Sequence, residues 1–204
     1  MTPNVLFLSG SLRLEGSNSR LTRVAARQLP LGFEATFFDL VDVPPYNADL
    51  DQAGQTPDAV TELRRRVTDA AGVFWCTPEH NYSLPGVVKN VIDWASGPLL
   101  PQSCLVGRPM NAAVATSSLT NGARSFSGLK RYWGIAGGLV VPLPDCIINQ
   151  APDKFRNVDG ELSLEPTSLR LLRLAVDGLV RMSESGAHHA LEENWHASIQ
   201  VLAA

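Results

Sequence analysis

Short, unbroken apolar runs recur along this chain, each followed by small or polar residues and then by a helical pattern of apolar positions. The runs are Val5–Leu8, Phe33–Leu40, Gly72–Cys76, Asn111–Thr116 and Leu139–Pro142. Runs of this length bounded by turn residues are what strands covered on both faces look like. Between them, helical spacing places Leu21, Val24 and Ala25 on one side of Asn18–Gln28, and Val60, Leu63 and Val67 on one side of Pro57–Ala70. Leu84–Ala95 carries a stripe of Val87, Val88, Val91, Ile92 and Ala95, and Gly122–Gly134 carries Phe126, Leu129 and Trp133. Thr167–Met182 is leucine-rich, and Ala190–Ala204 reads as a further short helix. Strands alternating with helices pair in parallel through right-handed crossovers, so the expected fold is α/β: a doubly wound, five-stranded parallel sheet flanked by helices. No repeat or linker interrupts this pattern. The segments Asp42–Thr56 and Pro142–Pro166 read as long surface connections, and residues 1–204 as a single domain.

Composition narrows the function classes. With 204 residues, 45% of them hydrophobic, the chain can bury a substantial core. Its net charge is −3 and its densest basic cluster is Arg64, Arg65 and Arg66, whereas a nucleic-acid partner requires a broad basic face. Three cysteines, Cys76, Cys104 and Cys146, form no CxxC, which suits a reducing compartment better than a disulfide framework. The apolar stretch Ile135–Leu143 is broken by Gly137, Gly138 and Pro142 and is too short to span a bilayer. Val5–Leu8 is too short for a signal peptide. The expectation is a cytoplasmic protein without membrane insertion or a nucleic-acid partner.

The turn after the first strand is rich in small polar residues. It offers the hydroxyls of Ser9, Ser11, Ser17 and Ser19, the guanidinium of Arg13, the amide of Asn18 and a helix start. In a doubly wound sheet ligands sit outside the carboxyl ends of the strands, and a helix N-terminus favours an anion. The loop is neither a GxGxxG dinucleotide turn nor a GxxxxGK[ST] triphosphate loop, so a terminal monophosphate fits better than a pyrophosphate. The plain alternative makes Ser17 or Asn18 an N-cap and the remaining serines loop filler. A second polar turn, Glu79-His80-Asn81-Tyr82, follows the third strand and ends near Pro85 in a first helical turn. Its main chain can read the edge of a planar heteroaromatic.

On "GSLRLEGSNSRL" (residues 10–21) and "TPEHNYSLPGVVKNVIDWAS" (residues 77–96), with a looser match at "TSSLTNGARS" (residues 116–125), the sequence resembles the flavodoxin-like NADPH-dependent FMN reductase family. That family also holds quinone, azo-dye and chromate reductases. The resemblance implies that Ser11, Arg13, Ser17, Asn18 and Ser19 hold an FMN phosphate. It implies that Pro78, Glu79, His80, Asn81 and Tyr82 line the ring and ribityl chain largely through main-chain groups, and that Ser117 approaches the far edge of the ring. Two positions depart from the pattern: His80 stands where tyrosine is more usual, and Thr120-Asn121-Gly122-Ala123-Arg124 lacks a double glycine.

The function so implied is an FMN-dependent oxidoreductase that takes hydride from NADPH or NADH and delivers electrons to a small-molecule acceptor: a quinone, azo compound, metal oxyanion or free flavin. Bound flavin carries such chemistry, so no catalytic side chain is required. The alternative from another class is a flavodoxin-type electron carrier or a flavin-binding sensor. Relatives of this kind assemble as homodimers or homotetramers. Arg13, Arg20, Arg108 and Arg124 are the candidates for recognising a coenzyme 2′-phosphate. Four further readings carry a functional and a plain version. His80 is a proton donor or a loop imidazole; Cys76 a redox thiol or a buried hydrophobe. Trp94 and Trp133 are interface anchors or core. His188, His189 and His196 with Glu192 and Glu193 are metal ligands or a solvated helix face.

Overall fold

The computed structural model describes residues 2–52, 54–97 and 103–202, with side chains through residue 195. Its central sheet has the strand order β2-β1-β3-β4-β5, all pairs parallel. The strands are β1 (Asn4–Ser9), β2 (Glu34–Phe37), β3 (Gly72–Cys76), β4 (Pro109–Ala115) and β5 (Leu139–Val140). A sixth short strand, β6 (Cys146–Ile148), also pairs with β4, so the fifth sheet position is filled by two pieces.

The expected strand Leu139–Pro142 ends early for a covalent reason. Val141 N–H still donates to Met110 O at 3.0 Å, but Pro142 and Pro144 have no N–H to give a ladder. The chain leaves the sheet over residues 142–145 and returns at Cys146 opposite Ala113. Phe33–Leu40 likewise shortens to β2, whose open edge leaves Phe37 half exposed.

Every residue of β3 and β4 is buried, which is why those strands read as unbroken apolar runs. Alternate residues feed two separate cores. On one face, Leu6, Leu8, Val73, Trp75, Ala112 and Val114 meet α2 (Asp58–Asp69), α3 (Gly86–Ser96) and α4 (Ala123–Ile135). On the other, Val5, Phe7, Phe74, Cys76, Ala113 and Ala115 meet α1 (Ser17–Ala26) and α5 (Pro166–Glu184). The stripe Val88, Val91, Ile92 and Ala95 faces the sheet as its spacing indicated. Trp94 and Trp133 are core residues rather than interface anchors: both are buried, and their indole N–H groups donate to Pro44 O at 2.7 Å and Arg108 O at 2.9 Å.

The segment read as a connection from Pro142 to Pro166 contains an antiparallel hairpin, β7 (Phe155–Val158) and β8 (Glu161–Leu164). Its two-residue turn, Asp159-Gly160, has φ of 52° and 86°, the left-handed pair that an Asp-Gly hairpin turn supplies. Phe155 and Leu164 join the α1–α5 core, and Arg20 of α1 stacks over the Phe155 ring at 4.1 Å. The last helix, α6 (Ala187–Leu202), begins before the expected Ala190; residues 203 and 204 lie outside the described residues, as does the side chain of His196. Arg108 donates to Glu192 at 2.6 Å, so that carboxylate faces an arginine of the sheet, not solvent. Among the described residues no helix is long and apolar enough to cross a membrane.

Glu165 sets the start of α5, accepting from Thr167 N and Ser168 N at 2.8 Å each and from the Ser168 hydroxyl at 2.5 Å. The Ser168 hydroxyl first, then the two amides, hold its carboxyl down to about 2. A carboxyl depressed by folding stabilises above its unfolded value and loses that contribution as the folded group protonates. Stability in urea is therefore expected to fall as pH drops from about 4.5 towards about 2. Glu165→Gln is expected to flatten that slope by lowering stability at pH 7, where the carboxylate's contribution is fully present, with little change near pH 2.

Candidate functional site

The carboxyl ends of β1, β3 and β4 open into one cleft of about 710 Å³. Its position outside the β1–β3 pair, where the strand order reverses, is where a doubly wound sheet binds ligands. Three loops line it: Gly10–Asn18 after β1, Pro78–His80 with Pro85–Val87 after β3, and Ala115–Ser117 after β4.

The first loop is shaped by its own polar groups. Gly10 N–H donates to Cys76 O at 2.8 Å, and a Cβ at Gly10 would lie 2.5 Å from Thr77 Oγ1, so only glycine allows β1 and β3 to part this closely. Ser11 N–H donates to Ser9 Oγ and Arg13 N–H to Ser11 Oγ. Ser19 Oγ donates to Arg13 O at 2.7 Å and lies 3.0 Å from Ser9 Oγ. Gly16 N–H closes the turn onto Arg13 O at 2.9 Å. Ser19 thus braces the loop from behind, while Ser11, Arg13, Ser17 and Asn18 line the cleft.

Gly16, not Ser17 or Asn18, is the N-cap of α1, and no side chain caps that helix. Its first-turn amides, orphaned by helix geometry, therefore face the loop without an internal acceptor. No acidic residue sits in that first turn, and the nearby Glu15 carboxylate is turned to Arg23 at 3.1 Å. The plain N-cap alternative for this loop fails on that geometry. Asn18 is engaged elsewhere, because its side-chain amide donates to Ala115 O and accepts from Ala115 N, both at 2.9 Å. Only its main chain remains for a ligand.

The second and third loops are joined by Glu79. Its side chain is 1% exposed, and Oε2 accepts from the N–H groups of Gly122, Arg124 and Ser125 at 2.9, 3.0 and 3.2 Å, capping α4. Ser125 Oγ adds a bond to Pro78 O at 2.8 Å. Oε2 of Glu79 is therefore committed, while Oε1 is buried without a hydrogen-bond partner and lies 3.7 Å from Arg124 Nη1. His80 lines the cleft with an exposed imidazole, while its backbone exchanges both hydrogen bonds with Ser83. Asn81 and Tyr82 adopt left-handed backbone, φ 49° and 62°, and lie outside the cleft lining. Ser117 is exposed on the opposite rim.

Sequence reading missed Pro152, a cleft wall supplied by the residues just before the hairpin. The Asp-Gly turn was the available signal. Cys76 is fully buried beneath the cleft, and burial pushes its thiol up, outweighing the hydrogen bond from Thr22. A buried neutral thiol is a packing residue, not a redox one. Among the described residues no group of three His, Cys, Asp or Glu side chains is placed to hold a metal.

The cleft fits FMN on three counts: an uncapped helix start with hydroxyls and a guanidinium at one end, an exposed main-chain edge at the other, and a volume within the range of small-molecule sites. The sequence profile described as NADPH-dependent FMN reductase matches residues 3–153. The chain belongs to that family. It is 31% identical over 159 residues to a quinone reductase of Escherichia coli K12, covering 78% of this chain and 84% of the relative. It is 33% identical over 151 residues to an NAD(P)H-dependent FMN reductase of Pseudomonas aeruginosa, covering 74% and 80%. Among solved structures, the FerB flavoenzyme NAD(P)H:(acceptor) oxidoreductase of Paracoccus denitrificans superposes with a TM-score of 0.77 at 27% identity, covering 90% of this chain and 98% of that one. The family profile stops before the hairpin and α5, so the wall at Pro152 lies at its very end.

Removing the Asn18 clamp strands two backbone groups of Ala115. Asn18→Ala is expected to cost about 1–3 kcal/mol of stability, the penalty of unpaired buried polar groups, measured by urea denaturation of the ligand-free protein.

Proposed function

We propose that this protein is an FMN-dependent NAD(P)H oxidoreductase that reduces small-molecule acceptors of the quinone class, with azo compounds, metal oxyanions and free flavin as further acceptors. The observation that carries this reading is the uncapped start of α1 opening into the same cleft as the β3 and β4 loops. The first-turn amides of α1, the hydroxyls of Ser11 and Ser17 and the guanidinium of Arg13 bind the phosphate monoester. Main chain of Pro78, Glu79 and His80 orients the ring, with Ser117 at its far edge. Bound FMN supplies a two-electron centre that accepts hydride from the nicotinamide and releases electrons to the acceptor. Ser19, Asn81 and Tyr82 serve the site indirectly, by bracing one loop and shaping another.

A single FMN-binding unit over residues 1–204, acting in the cytoplasm as a homodimer or homotetramer, completes the reading. Three free cysteines support a reducing compartment.

Purified protein incubated with FMN and desalted is expected to be yellow, to bleach anaerobically with NADPH or NADH, and to regain colour on adding a benzoquinone. Colourless protein after that treatment defeats the reading. Arg13→Ala is expected to weaken FMN binding about tenfold or more, as befits a lost charge-assisted contact, while leaving riboflavin affinity nearly unchanged. Fluorescence titration of both flavins separates the phosphate contribution from the ring's.

A further inference from the structure

Four arginines were candidates for reading a phosphate on the coenzyme ribose, and their surroundings now separate them. Arg108 lies at the opposite, amino-terminal end of β4, bonded to Glu192 and to Ala70 O. Arg20 is stacked on Phe155 beneath the hairpin, and Arg13 sits at the anion end of the cleft. Arg124 lies outside the cleft lining, in the first turn of α4 and over Tyr82 of the second loop.

Its side chain is 57% exposed, with the guanidinium 4.6 Å from the centre of the Tyr82 ring. The nearest carboxylate oxygen, Glu79 Oε1, is 3.7 Å away, beyond hydrogen-bonding distance. Oε2 of Glu79 is met by three amides, and the buried Oε1 forms only this longer ion pair, which leaves the arginine's N–H donors without a hydrogen bond. Arg23, Arg64 and Lys130, by contrast, make hydrogen-bonded ion pairs with Glu15, Asp51 and Asp145. Arg124 therefore carries its charge to the rim of the ring loop with its in-plane N–H donors making no hydrogen bond among the described residues. Stacking on a tyrosine holds the guanidinium plane and leaves its edge open, the geometry that takes a phosphate monoester through two parallel bonds.

NADPH differs from NADH by one such monoester. We propose that Arg124, seated on Tyr82, binds the 2′-phosphate of the reducing coenzyme and makes NADPH the preferred reductant. The proposal rests on the FMN and NAD(P)H reading above. Tyr82 is the platform: its left-handed backbone turns the ring outward from the cleft lining and under the arginine.

The test compares FMN-loaded wild type, Arg124→Gln and Arg124→Lys. The ratio of kcat/KM for NADPH over that for NADH is expected to exceed one in the wild type. It is expected to fall about ten- to a hundredfold in Arg124→Gln, mainly through KM for NADPH, and to recover in part in Arg124→Lys. Calorimetric titration gives an activity-free readout: adenosine 2′,5′-bisphosphate should bind wild type more tightly than adenosine 5′-monophosphate, and Arg124→Gln should erase the difference. An unchanged coenzyme ratio in Arg124→Gln, or equal binding of the two adenosine phosphates to wild type, overturns the proposal. Protein that bleaches with both coenzymes yet shows either result loses only this inference. Protein that neither holds FMN nor bleaches loses the reading on which it stands.

Discussion

Two hydrogen bonds between the Asn18 side chain and the backbone of Ala115 tie the start of α1 to the end of β4, across 97 residues of sequence. A parallel strand in the middle of a sheet ends with backbone groups that no neighbour completes, and here a helix-borne amide supplies both the donor and the acceptor. Because Asn18 is spent in this way, it cannot cap its own helix, and Gly16 has no side chain with which to do so. The open helix start is thus a by-product of the same bond that fixes the helix. Sheet integrity and the placement of the open helix start share one residue.

A second tie of the same logic joins the other two loops. Glu79 leaves the end of β3 and caps α4, so the positive end of that helix is answered by protein rather than by ligand. Two helices on opposite faces of the sheet therefore begin with opposite characters: α1 open, α4 closed. The difference leaves α1, not α4, as the helix start able to accept an anion. Chain segments far apart in sequence meet at β4, whose carboxyl end holds Asn18 on one side and the β6 ladder on the other.

Much of this was legible in the linear chain. Continuous apolar runs placed β3 to the residue, β1 within one residue and β4 within two, because burial on both faces removes the polar alternation that would blur them. The serine-rich first loop and the second polar turn, legible as polar connections between strands, both line the cleft. Roles within the loops were not. Whether Asn18 reaches a ligand or Ala115, and whether Glu79 reaches a ring or three amides, depends on partners 97 and about 45 residues away that spacing does not reveal. The hairpin was hidden by prolines: Pro142, Pro144 and Pro152 make residues 142–166 look like a connection, although Asp159-Gly160 between alternating residues marked a turn. The pairing of Glu192 with Arg108 was likewise invisible, since it joins the last helix to a strand eighty-four positions earlier.

The two successive left-handed residues, Asn81 and Tyr82, separate the backbone of the second loop from its side chains. Pro78, Glu79 and His80 line the cleft, while Asn81 and Tyr82, both exposed, lie outside its lining. Whatever is held by main chain there is indifferent to which side chains follow. Substitution at the mouth can therefore retune which electron donor or acceptor is admitted without disturbing the grip on the resident group. Two left-handed residues thus let a single scaffold change its clientele.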